Sequence, residues 1–248
     1  MALILSKITA GYSKKIILSD FDAVFEKGQI ICIVGPNGCG KSTLLKSIVG
    51  VLPTTSGEIF IDQIKNPDRN ERAKKISYLA QSRSFSDMTV FDTVLCGRYP
   101  HLSFPRVYEK KDREIAFSCI KKMGLEALCD SRLSTLSGGM RQKVYIAMAL
   151  CQDTDYILLD EPTSFLDISN VFELTSILHE LAKSGKSIVC VLHDLVLAFD
   201  IADKILVMKD GKNICLDTPD VVVKSGVIKD VFGVGIENAE GFYRYERT

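Results

Sequence analysis

After the apolar run Ile30–Val34 the chain reads Gly35-Pro36-Asn37-Gly38-Cys39-Gly40-Lys41-Ser42-Thr43 and then turns helical. This fits the phosphate-loop pattern G-x-x-x-x-G-K-S/T in the strand-to-helix context the pattern requires. Glycines let the backbone bend so that successive N–H groups point inward at a polyphosphate, and the helix behind them adds its positive N-terminal end. In that frame Lys41 contacts the β- and γ-phosphates, and Ser42 offers its hydroxyl to an Mg²⁺ ion bridging the same two groups. The alternative is an ordinary glycine-rich turn, a chance match on the order of one in a hundred for a chain of this length.

A second run, Tyr156-Ile157-Leu158-Leu159-Asp160-Glu161-Pro162, is an apolar strand that ends in two adjacent acids. Neighbouring positions at a strand end face opposite ways, so the two carboxylates can divide the work. Asp160 is placed to hold Mg²⁺ through a water, and Glu161 to polarise the attacking water. Acids after a strand are also common loop chemistry, so the pair gains its meaning from the glycine loop upstream.

These groups need a covered sheet to hold them. Leu3–Thr9, Gly28–Val34, Gly57–Asp62, Lys75–Ala80, Tyr156–Asp160, Ser187–Leu192 and Lys204–Lys209 are short apolar or β-branched runs bounded by turn residues, and read as strands. Helical patterns lie between them: Lys41–Val49 behind the glycine loop, and Val171–Ala182 with Leu174, Ile177, Leu178 and Leu181 on one face. Strands alternating with helices predict an α/β fold with a mostly parallel sheet. Lys204–Lys209, the Asp210-Gly211 turn and Asn213–Leu216 add a hairpin, hence an antiparallel edge. From Met88 to Leu150 the strand signals stop, and Arg113–Met123 and Met140–Leu150 are the clearest helices. The expected division is a core of residues 1–87 and 151–248 with an inserted helical subdomain at 88–150, in which Pro100 and Pro105 mark a loop.

Composition narrows the partners. The 248 residues carry 31 basic and 31 acidic side chains, so no net field favours nucleic acid, and none is expected as a partner. The longest apolar runs are strand-length, below the roughly 18 residues a membrane span needs. The start, Met1-Ala2-Leu3-Ile4-Leu5-Ser6-Lys7, lacks signal-peptide features, which predicts a cytoplasmic location. The 8 cysteines are scattered singly and show no metal-ligand spacing; they read as reduced, mostly buried hydrophobes.

Between the two chemical runs stands Leu136-Ser137-Gly138-Gly139-Met140-Arg141-Gln142, immediately before a helix. Together these motifs resemble the ATP-binding-cassette (ABC) ATPase family, and the resemblance spans essentially the whole chain. It implies a P-loop NTPase core with a mixed sheet, an antiparallel β edge and an inserted α-helical subdomain. Tyr12, after Gly11, matches the aromatic that stacks on adenine, and Gln81, after the strand Ile76–Ala80, matches the residue that senses Mg²⁺ and the γ-phosphate. Ser164-Phe165-Leu166-Asp167 matches the loop that crosses the dimer interface, and His193 matches the switch histidine. ATP and Mg²⁺ are the implied cofactors. Gly35, Pro36, Asn37, Gly38, Cys39, Gly40, Lys41, Ser42 and Thr43 would hold nucleotide, and Ser42, Gln81 and Asp160 the metal. Glu161 would act as general base, with Lys41, Gln81 and His193 completing catalysis. Ser137, Gly138 and Gly139 would close on the γ-phosphate bound by an opposite copy, so that two ATP molecules are sandwiched in a homodimer.

Two positions depart from the family pattern. Met140 stands where glutamine is usual, which removes one polar contact to the partner's nucleotide. Cys39 replaces the usual serine, and helix-end polarity is expected to lower its thiol pKa and make it reactive. Cys96-Gly97-Arg98-Tyr99-Pro100-His101, Leu192-His193-Asp194-Leu195 with Ala198, and Val231-Phe232-Gly233-Val234 look like the importers of ferric siderophores, haem and cobalamin. That likeness implies an import motor peripheral to the inner face of the membrane. It also implies a polytopic permease docking near Arg83–Thr93 and a periplasmic or surface substrate-binding protein in the same system. Two readings stay open beside it. A non-transport ABC ATPase would carry a tandem cassette, a coiled-coil insertion or a basic surface; a catalytically silent nucleotide-binding module is disfavoured by Glu161 and His193. His101 and His179 carry no implied role.

Overall fold

The computed structural model describes residues 1–13, 15–81 and 87–246. The chain begins β1 (Ala2–Tyr12), β2 (Lys15–Glu26), β3 (Ile30–Val34), α1 (Lys41–Ile48), β4 (Thr54–Ile61), β5 (Ile64–Lys65), α2 (Arg69–Lys75) and β6 (Ile76–Leu79). Helices follow: α3 (Val90–Leu95), a 3₁₀ turn at Cys96–His101, α4 (Lys110–Lys122) and α5 (Gly138–Cys151). Then come β7 (Tyr156–Asp160), α6 (Ile168–Lys183), β8 (Ser187–Val191), α7 (Leu195–Ile201), β9 (Lys204–Lys209) and β10 (Lys212–Asp217). The chain closes with α8 (Pro219–Lys224), α9 (Val227–Phe232) and the hairpin β11 (Ile236–Ala239) and β12 (Phe242–Tyr245).

Among the described residues the strands form a mixed sheet in the order β10-β9-β3-β8-β7-β6 and an antiparallel sheet in the order β2-β1-β4-β5. The neighbours from β9 to β6 run parallel, and β10 pairs antiparallel with β9, the expected edge hairpin. Strands β3, β7 and β8 are buried along their whole length because each is covered on both faces. Alternation divides their side chains between two cores. Ile30, Cys32 and Val34 point to the helices, together with Ile157, Leu159, Ile188 and Cys190. Ile31 and Ile33 point to the antiparallel sheet, together with Leu158, Val189 and Val191.

The sequence reading has no strand over 15–26, where the structure has β2. Its buried residues Leu18, Phe21, Ala23 and Phe25 alternate only from Phe21 onward. At Asp20 the backbone is left-handed, with φ 48°, and the inward phase slips by one residue there. Such a bulge hides a period-two pattern from inspection. β2 is also what closes the second core, since Phe21 and Phe25 are fully buried in it.

Candidate functional site

The glycine loop hangs between the end of β3 and α1. Gly40 stands at the N-cap with φ 108°, and no side chain caps the helix, so the first-turn N–H groups are left for a ligand. The loop is wedged tightly from behind: a Cβ on Gly35 would sit 2.4 Å from the Met208 carbonyl and 2.7 Å from Cys39 Sγ. Lys41 is buried and turned back on the loop, its Nζ donating to the carbonyls of Gly35 at 2.7 Å and Pro36 at 3.0 Å. The ammonium thus sits inside the loop it would serve.

β7 ends on Asp160, which is 1% exposed. Tyr78 from the neighbouring β6 donates its hydroxyl to Oδ2 at 3.4 Å, while Oδ1 is buried with no hydrogen-bond partner among the described residues. Burial pushes this carboxyl above the usual carboxylate range, and the nearby Ser42 hydroxyl pulls it partly back. A buried carboxylate oxygen without a donor is costly, and a divalent cation beside Ser42 would satisfy it. The residues present therefore fit Mg²⁺.

Glu161, the next residue, is held with φ 55°. For a glutamate that conformation costs ~1–3 kcal/mol, a strain found where surroundings over-determine the backbone. Its N–H donates to the Val191 carbonyl at 3.2 Å, which ties the turn to the end of β8. The side chain meets His193 Nε2 through Oε1 at 2.5 Å and accepts from Ser164 Oγ through Oε2 at 3.5 Å. Loops at the ends of adjacent parallel strands β7 and β8 thus bring Glu161 and His193 together.

One cleft gathers most of the residues expected to act. Tyr12, Asn37, Gly38, Gly40, Lys41, Ser42, Thr43, Gln81, Glu161 and His193 line it, with Asp160 buried behind. Tyr12 is half-exposed at the end of β1, as a ring that could stack on a base must be. Ile17 also lines the cleft and escaped the sequence reading, because it belongs to β2. Ser137, Gly138 and Gly139 do not reach this cleft; they sit at the start of α5 against the Phe165 loop. The expectation for Cys39 fails: it is buried, and desolvation raises its thiol pKa despite Lys41 nearby, so it is not a reactive thiolate. Among the cysteines, Cys96 is the exposed one. His101 is not idle, since its Nε2 lies 2.6 Å from the Gln152 carbonyl. Of the expected docking stretch Arg83–Thr93, residues 83–86 lie outside the described residues; Thr89 caps α3, and Asp87 pairs with Arg132.

A family model described as ABC transporter matches residues 18–164. The chain belongs to the ABC transporter family. ABC relatives cover nearly all of it. The Petrobactin import ATP-binding protein FpuD of Bacillus anthracis is 37% identical over 235 residues, covering 93% of this chain and 86% of that protein. The Ferric enterobactin transport ATP-binding protein FepC of Escherichia coli (strain K12) is 35% identical over 232 residues, covering 92% of this chain and 86% of that protein. Among solved structures, the dimeric post-hydrolysis state of the ATP-binding cassette MJ0796, bound to ADP and Pi, matches with a TM-score of 0.77. It is 28% identical, and the match covers 88% of this chain and 98% of that one. This ABC chain is thus an ATP-binding ATPase with the P-loop cassette fold.

Proposed function

We propose that the chain is the ATP-hydrolysing subunit of an ABC importer, powering uptake of an iron-siderophore, haem, cobalamin or similar metal chelate through a separate membrane permease. The observation that carries the ATPase chemistry is the cleft in which Lys41, Ser42, Glu161 and His193 face one space, with the unpartnered Asp160 Oδ1 behind it. The cargo class rests on likeness to the petrobactin and ferric enterobactin relatives. No helix of the described residues is long and apolar enough to cross a membrane, so a motor of this kind needs a permease to carry cargo.

In this mechanism the α1 N–H groups and the loop backbone receive the β- and γ-phosphates, and Lys41 exchanges its two loop carbonyls for phosphate oxygens. Tyr12 stacks on adenine. Ser42, Asp160 and Gln81 would hold Mg²⁺, which would supply positive charge to offset that building on the phosphates. Glu161 takes a proton from the attacking water, and His193, its hydrogen-bond partner here, orients it and then meets the γ-phosphate. Ser137, Gly138 and Gly139 complete the site of the opposite copy in a homodimer, which opens when the γ-phosphate is lost. Residues 88–150 act as an inserted helical subdomain, and the surface near Arg83–Thr93 receives the permease on the cytoplasmic face of the membrane. A periplasmic or surface binding protein delivers the chelate.

The test is ATPase activity of wild type and Glu161→Gln, with size analysis in ATP. Glu161→Gln should lose turnover by at least about 100-fold and accumulate as an ATP-bound dimer. A wild-type monomer that hydrolyses ATP without associating would sink the shared-site mechanism.

A further inference from the structure

Glu161 and Phe165 both hold left-handed backbone, at φ 55° and 68°, within one short loop and without a glycine. A loop bent in this way needs anchors from outside itself. One lies upstream, where the Glu161 N–H donates to the Val191 carbonyl. The other comes from the signature helix. Gln142, one turn into α5 and 7% exposed, donates from Nε2 to the Pro162 carbonyl at 2.8 Å. The peptide that follows Pro162, one residue past Glu161, is thereby fixed to the helix that Ser137 caps. The same loop presses on that helix at its tip, where a Cβ on Gly139 would lie 3.0 Å from the Phe165 carbonyl. On its inner side the Ser164 N–H donates to the Glu161 carbonyl and Ser164 Oγ reaches Oε2.

We propose that Gln142 is a positioning residue that ties the signature helix to Glu161 of the same chain. This rests on the reading of Glu161 as base and of Ser137 as closing on the partner's nucleotide. When the helix seats on the partner's ATP, the Gln142–Pro162 bond carries that seating into the turn that aims Glu161 at its own ATP. One site then fires in register with the closure of the other. Without the bond, ATP still binds and the dimer still closes, but the carboxylate is poorly aimed.

Gln142→Met keeps the volume and removes the donor; Gln142→Glu also removes it while the new carboxyl is ionised. In the full chain we expect kcat to fall about 10-fold or more for both, since small misplacements of a catalytic group are expensive in rate. KM for Mg-ATP, and ATP-driven dimerisation measured with Glu161→Gln present in addition, should stay within about 2-fold of their values without the Gln142 change. As pH drops from about 8 to about 6, the Gln142→Glu variant should regain rate relative to wild type, because a buried carboxyl protonates early and then donates again. Gln142→Met should show no such recovery. Unchanged kcat overturns the proposal. So does a joint fall of kcat, dimerisation and thermal midpoint, the mark of a structural prop, and so does failure of both variants to fold. Full activity of Gln142→Met beside a dead Glu161→Gln removes this inference alone, whereas an active Glu161→Gln removes the function on which it rests.

Discussion

Asp160 and Glu161 are neighbours in sequence with opposite surroundings: one sealed under the glycine loop with an unsatisfied oxygen, the other bonded to His193. The raised pKa of Asp160 has a definite sign in stability. The fold binds this proton more tightly than the unfolded chain does, so ionised Asp160 destabilises the nucleotide-free protein once pH passes the ordinary value of 3.8. Asp160→Asn should therefore stabilise that protein by about 1–3 kcal/mol near neutral pH, while ending Mg²⁺-dependent hydrolysis. The gain should shrink as pH falls towards the ordinary value, and thermal unfolding across pH checks it. A gain independent of pH would reject desolvation of the charge as the cause. At this scale much of the site was legible in the sequence, because the glycine loop and the acid pair each carry their chemistry in residue type and spacing. Ile17 was not legible, since its place in the cleft depends on a slipped strand, nor was Gln142, whose partner Pro162 lies 20 positions away. Cys39 lacks the reactivity its place beside a helix end suggests, because burial outweighs the local polarity.

The elements that the sequence made plain are those buried on both faces. β3, β7 and β8 are uninterrupted apolar runs bounded by turns, while the exposed hairpin β11–β12 has no such contrast. α4 starts at Lys110 rather than Arg113, because the Asp112 carboxylate reaches back to accept the Glu109 N–H at 3.0 Å and fixes the first turn. The β9–β10 turn joins three elements around Gly211. Its carbonyl accepts from Ser19 N–H on β2, and its N–H donates to the Cys39 carbonyl of the glycine loop at 3.0 Å. At φ 75°, a Cβ there would lie 1.8 Å from the Ile17 carbonyl. Gly211→Ala should cost ~2–4 kcal/mol and also weaken Mg-ATP binding, because the loop loses its brace. Denaturant unfolding and nucleotide titration check both halves. Lost stability with unchanged affinity would show that the turn props the sheets without shaping the loop.

Across the molecule, one apolar stripe is left exposed among the described residues. Phe165, Ile168 and Phe172 are 80%, 77% and 66% exposed, spaced along the loop after Glu161 and the first turns of α6. Phe165 adjoins Gly138 and Gly139, the residues proposed to close on the opposite copy, and the stripe runs on from it. Ile168→Glu together with Phe172→Glu should weaken ATP-driven dimerisation about 10-fold or more and leave the monomer's affinity for Mg-ATP unchanged. Sedimentation in the presence of Glu161→Gln measures this, and an unaltered dimer would assign the stripe elsewhere. The strand that supports the nucleotide has a wider effect. β3 is shared property: one set of its side chains seals the helical side, the other seals the antiparallel side. The molecule consequently has no seam along which the half bearing the glycine loop could melt while the other stood. Heat should take both apart as one body, and a guest that grips the loop steadies regions it never touches.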